Sequence, residues 1–143
     1  MSEVEVTFAR PISREEITTA CALHLKWLIS RGKEGKRADF SYRNLSGADF
    51  HGKLLDRALF YCANLRNANF IKANLLNANF SSAKLDNATF RHAFLYNSQF
   101  RYSIVNNADF TGANLTFANF KHAKISGCAF TRADTLGATQ LKS

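Results

Sequence analysis

Residues 58–80 read ALFYCANLRNANFIKANLLNANF, in which Phe60, Leu65, Phe70, Leu75 and Phe80 recur every fifth residue, each with Ala58, Ala63, Ala68, Ala73 or Ala78 two places before it. Traced outward, the period runs from Phe40, Leu45, Phe50 and Leu55 through Leu85, Phe90, Leu95, Phe100, Val105, Phe110, Leu115, Phe120 and Ile125 to Phe130, and breaks at Thr135. The place two before each centre is small nearly throughout, from Ala38 and Ala48 to Ser98, Ser103, Cys128 and Ala133. A period of five matches neither the ~3.6 of an α-helix nor the ~2 of a strand. It fits a chain that turns about 90° per five residues, so that the bulky centre and the small residue before it both face a common axis.

Four such sides make a coil, and residues twenty apart stack at roughly the 4.8 Å spacing of neighbouring strands. This register predicts one column of Phe40, Phe60, Phe80, Phe100 and Phe120 and an opposite one of Phe50, Phe70, Phe90, Phe110 and Phe130, with aliphatic columns on the other two sides. Asp39, Asp49, Asp109 and Asp134 sit just before a centre, where a short polar side chain bonds nearby backbone. Asn67, Asn87 and Asn107, spaced by twenty, are expected to stack as an amide ladder.

Ala-Asp-Phe at 48–50 and Ala-Asn-Leu at 63–65 and 113–115 resemble the pentapeptide-repeat family, a resemblance that covers about 100 of the 143 residues. It implies an all-β solenoid, a right-handed quadrilateral β-helix with four pentapeptides per coil and hence about five coils. It also implies that dimers joined at a terminal coil are to be considered, and that DNA mimicry directed at DNA gyrase is a known activity of such solenoids. Small members occur in bacteria and phages, which makes inhibition or modulation of a host macromolecular complex a further expectation.

Three segments follow: 1–37, an N-terminal strand and capping α-helix; 38–137, the repeat β-helix; and 138–143, a C-terminal tail. Ser13 and Glu16 form a capping-box pattern that opens a helix ending at Ser30 to Gly32. Its Ile17, Cys21, Leu25 and Leu28, with Trp27 and Ile29 alongside, are expected to cover the open first coil. Val4, Val6 and Phe8 alternate with polar residues as in a short strand ended by Pro11. Arg43 and Lys53 stand where the pattern asks for small inward residues, so the first coil is expected to be distorted. Phe130 and Leu136 are expected near an uncapped end, which favours a homodimer through the C-terminal coil.

The MSEVEVTF start lacks the basic and apolar regions of a signal peptide, no stretch is long and apolar enough to span a bilayer, and Cys21, Cys62 and Cys128 are too few for a disulfide framework. The expectation is a cytoplasmic protein with no membrane association. His24, His51, His92 and His122 read as surface residues without ligand spacing, and no phosphate loop, triad or nucleophile elbow is present. Neither catalysis nor a metal or cofactor is expected.

Function is therefore sought on the outside. Leu54, Leu76, Phe94, Tyr96, Phe117 and Leu136 project from the side centred on Leu55, Leu75, Leu95 and Leu115, and Tyr61 and Tyr102 lie along the adjoining edge. Contiguous exposed apolar and aromatic area marks a binding site, here for another protein. A net charge of +8 makes nucleic-acid binding through a basic surface the alternative. Residues 38–137 hold eleven Lys or Arg against six Asp, a net of +5, and a basic rod does not reproduce the field of a polyanion.

Overall fold

The computed structural model describes residues 10–141. The strand expected at Val4–Phe8 lies outside the described residues. In the repeat region every rung joins residues twenty apart in parallel: Asp39 bridges Leu59, and the same line continues through Asn79, Gln99 and Asn119 to Thr139. The other three sides run Asn44–Asn64–Lys84–Ile104–Lys124, Asp49–Asn69–Thr89–Asp109–Ala129 and Leu54–Asn74–Phe94–Asn114–Asp134. Each rung is one residue long, because a side of five residues spends two on inward side chains and two on the corner. At the Asn44–Asn64 rung, Leu45 N–H donates to the Asn64 carbonyl at 2.7 Å and Asn64 N–H donates to the Arg43 carbonyl at 3.0 Å.

The corners explain the polar positions. Each centre's carbonyl accepts from the N–H three residues on, as Phe60 does from Ala63 at 3.1 Å, and the second corner residue has positive φ, 62° at Asn67 and 61° at Asn87. This is the pattern of a type II turn, which asks for Gly or Asn at that place. Asn67, Asn87 and Asn107 are therefore turn residues, and the amide ladder expected of them is not formed among the described residues. One such contact lies on another corner, where Asn97 Nδ2 donates to Asn77 Oδ1 at 2.7 Å. The residues before the centres behave as expected: Asp39, Asp49, Asp109 and Asp134 each accept through Oδ1 from the backbone N–H two residues on, at 2.9–3.1 Å.

Inside, both phenylalanine columns form. Centroids in successive coils lie 4.8 Å apart for Phe60–Phe80 and 4.9 Å for Phe70–Phe90, with ring planes within 6°. The two columns also touch edge to face across the axis, as at Phe80–Phe90, 5.5 Å and 88°. Both arrangements are favoured aromatic geometries. The packing loosens at the C-terminal end, where Phe110–Phe130 opens to 5.4 Å and Ile125, Cys128, Phe130 and Ala133 are only partly buried.

The N-terminal end carries helix α1 (Arg14–Ile29), with Ser13 as N-cap accepting from Glu16 N–H. The Glu16 carboxylate does not close a capping box. It pairs with Arg43 at 2.8 Å and Arg10 at 3.1 Å, and these guanidiniums, Arg43 first, hold its carboxyl down at about 2. This overturns the expected distortion of the first coil: Arg43 swings across the open end to meet α1, Lys53 points to solvent, and all four sides of that coil keep their bridges.

The buried face of α1 is Ile17, Cys21 and His24; Leu25 is exposed and Ile29 is 75% exposed. At about 100° per residue, His24 lies some 20° from Ile17 around the helix whereas Leu25 lies some 80° away. His24 is thus no surface residue, contrary to expectation, and is fully buried. Its Nδ1 accepts from Ala38 N–H at 2.9 Å, so the ring proton is on Nε2, which donates to the Asp56 carbonyl at 2.8 Å. Burial, opposed by Asp56, holds the imidazole below its usual pKa. Trp27 stacks on His24 at 5.4 Å and takes the guanidinium of Arg57 at 4.7 Å from its ring centre. Helix and first coil are joined by this cluster as well as by apolar contact.

Candidate binding surface

One corner of the coil gathers exposed apolar and aromatic side chains. It follows the centres Leu55, Leu75, Leu95, Leu115 and Thr135 and carries Asp56–Arg57, Leu76–Asn77, Tyr96–Asn97, Thr116–Phe117 and Leu136–Gly137. Backbone bonds hold these pairs in register: Arg57 N–H donates to Leu76 O, Asn77 to Tyr96 O, Asn97 to Thr116 O and Phe117 to Leu136 O, at 2.8–3.0 Å. The equivalent corner after Leu45, Leu65, Leu85, Val105 and Ile125 bears only Ser46, Gly47, Arg66, Asn67, Asp86, Asn87, Asn106, Asn107, Ser126 and Gly127.

Of the residues assigned to this face from the sequence, Tyr96 and Phe117 come together, with ring centroids 5.6 Å apart at 86°, and Leu136 adjoins them through the backbone ladder. Phe117 is half exposed and Leu136 is 69% exposed. Leu76 is half-buried in the same ladder. Phe94 is 52% exposed and stands on the side just before the corner, bridged to Asn74 and Asn114, so that Leu54 lies apart from it with Asn74 between. Tyr61 and Tyr102 sit on the next corner, one side away, with no ring contact to Tyr96 or Phe117. They have partners that sequence reading did not assign: Tyr61 meets Tyr42 edge to face at 5.5 Å, and Tyr102 stacks on His122 at 4.9 Å. The spacing of twenty between positions 102 and 122 was the available signal for the second pair.

Phe117 occupies the positive-φ corner place at 59°, a region that disfavours bulky L side chains by about 1–2 kcal/mol per residue. Its ring lies over Gly137, where any Cβ would strike it. Positive φ recurs at the second residue of every corner, Lys72, His92 and Arg132 among them, so what sets Phe117 apart is its exposed ring and not its backbone.

Ion pairs remove several basic residues from the free surface: Arg10 and Arg43 pair with Glu16, Arg66 with Asp86 at 3.4 Å, and Arg91 with Asp109 at 2.9 Å. Among the described residues no three His, Cys, Asp or Glu side chains converge as a metal site, and no helix is long and apolar enough to cross a membrane. The three cysteines are unpaired, and burial pushes the Cys128 thiol up to about 11.

A family model for pentapeptide repeats, in eight copies, matches residues 58–95 and 95–132. Among solved structures, the chain is similar to HetL, a pentapeptide repeat protein involved in heterocyst differentiation regulation from the cyanobacterium Nostoc sp. strain PCC 7120, at 24% identity over 72% of this chain and 55% of that one, with a TM-score of 0.43. A pentapeptide repeat protein of the Arabidopsis thaliana thylakoid lumen is 33% identical over 67% of this chain and 63% of its own, with a TM-score of 0.41. A trypsin-treated variant of QnrB1, a plasmid-mediated fluoroquinolone resistance protein, is 22% identical over 71% of this chain and 69% of its own, with a TM-score of 0.42. The chain thus spans little more than half the length of the first of these. No curated protein sequence matches it.

Proposed function

The chain belongs to the pentapeptide-repeat family, and from that premise we propose that it is a non-catalytic solenoid that docks on another protein through the corner bearing Leu76, Tyr96, Phe117 and Leu136, with Phe94 beside it. The observation that carries this reading is the Tyr96–Phe117 ring pair, exposed and in contact at a corner whose counterpart is wholly polar. Aromatic anchors with an apolar neighbour are what an interface uses for affinity, and the net positive charge speeds encounter with an acidic partner. The partner is a component of a macromolecular complex that the solenoid inhibits or modulates. The body is taken as a right-handed β-helix of about five coils over 38–137, a reading supported by the twenty-residue rungs.

Charge sign separates this from DNA mimicry, because a body of net +5 presents the field opposite to that of duplex DNA. A photo-crosslinking side chain placed at Tyr96 should give a protein adduct in cells, and one at Asn87 on the polar corner should not. Equal adducts at both places, or at neither, would reject the docking corner. A second contact is supported at the C-terminal end, where the partly buried Phe130 and Ile125 end the core. Covering them by a second copy predicts a dimer mass by light scattering at micromolar concentration; a monomer mass would rule that out.

A further inference from the structure

Once the paired cations are set aside, eight remain in the repeat body, and four of them gather on one corner and the side next to it. Among the described residues none of Lys84, Arg101, Lys121 and Lys124 forms an ion pair. They lie together: Arg101–Tyr102 and Lys121–His122 occupy one corner in successive coils, joined by a 3.1 Å bond from Tyr102 N–H to Lys121 O. Lys84 and Lys124 stand on the adjoining side, in one line with Ile104 between them. The three stacked segments 77–88, 97–108 and 117–128 contain these four cations and a single acid, Asp86, which is paired with Arg66 at 3.4 Å.

Set in this field is a ring stack. Tyr102 is 57% exposed and lies on His122 with planes 20° apart, and the Arg101 guanidinium is 5.9 Å from the Tyr102 ring centre. One coil earlier the same corner place is Ser82, so the Tyr102 face turned away from His122 meets no other ring.

We propose that this corner is a second binding site, distinct from the Tyr96–Phe117 corner, and that it takes single-stranded nucleic acid, with a base stacked on Tyr102 and phosphates on Arg101, Lys121, Lys84 and Lys124. Positive charge alone would suit any polyanion. An exposed tyrosine that stacks on one ring only, with a guanidinium beside it and the nearby acid already paired, selects a polyanion that carries unstacked aromatic groups. A duplex keeps its bases stacked inside and offers none to Tyr102, and an acidic protein supplies charge without a base.

The test is fluorescence anisotropy with a labelled oligothymidylate of about 12 nucleotides, against the full-length protein at low salt. Stacking on an aromatic side chain is worth enough that Tyr102→Ala should weaken binding about 5- to 150-fold, whereas Tyr102→Phe should keep it. Arg101→Gln with Lys121→Gln should lower the slope of log affinity against log salt by roughly 1.4, at about 0.7 per lost phosphate contact. Lys72→Gln with Arg132→Gln, an equal charge loss on another corner, should leave affinity nearly unchanged. The proposal is overturned if the oligonucleotide does not bind at low salt, or if the Lys72, Arg132 variant weakens binding as much as the Arg101, Lys121 variant. An affinity unmoved by Tyr102→Ala also overturns it and leaves the patch to an acidic protein or to polyanions in general.

Discussion

Replacing His24 by leucine should loosen α1 from the first coil about as much as truncating a buried apolar residue of the helix would. The imidazole is fully buried and satisfies two backbone groups at once, the Ala38 N–H at 2.9 Å and the Asp56 carbonyl at 2.8 Å. Leucine fills much of the volume and serves neither. Each orphaned group costs about 1–3 kcal/mol, so the loss is about 2–6 kcal/mol. Because only the cap is freed, it should appear locally: amide exchange at Ala38 should accelerate at least about 30-fold, while core amides such as Phe80 stay protected. The effect has a pH signature. Burial lowers the native imidazole pKa below 6.5, so on acidification the unfolded chain takes the proton first, and the cap loses stability as pH falls from about 6.5 toward the native value. The gap between wild type and variant should therefore be widest near pH 8 and shrink below pH 6. Unchanged exchange at Ala38, or a cost below about 1 kcal/mol at pH 8, would show that His24 does not hold the cap.

Two further outcomes follow from the same geometry. Phe117→Asn puts a residue suited to positive φ at the strained corner, so thermal unfolding should show stability unchanged or raised by up to about 1 kcal/mol while partner binding falls; a large loss of stability would mean that the ring is structural. The Glu16 carboxyl, held at about 2 against an ordinary 4.5 by Arg43 and Arg10, contributes stability that is present above about 4.5 and lost as pH falls toward 2. Glu16→Gln should remove that part of the acid unfolding profile and leave the His24 window intact.

Much of the fold was legible because its signal is repeated. A bulky residue at every fifth place fixes both phenylalanine columns, and Phe60–Phe80 and Phe70–Phe90 stack as the register requires. What escaped reading depends on single contacts between distant segments. His24 carries no local sign that it is buried, since its partners Ala38 and Asp56 belong to the coil and offer backbone atoms. Arg43 looked disruptive because the pattern describes a coil with neighbours above and below, and the first coil has α1 on one side instead. Asn67, Asn87 and Asn107 suggested a ladder, yet the corner's positive φ is the stronger demand. On the surface, the exposed apolar residues were identifiable from the register, but their grouping was not: Tyr96 and Phe117 join, Leu54 stands apart, and Tyr102 pairs with His122 on a different corner.

Docking of the Tyr96–Phe117 corner on a protein is open to affinity capture on immobilised protein with nuclease-treated extract, comparing wild type with the Phe94→Asp, Phe117→Asp variant. Both rings are about half exposed, so the variant should keep its fold by circular dichroism. A protein should be retained by the wild type and lost with the variant. A folded variant that retains the same protein as the wild type would rule out docking at this corner.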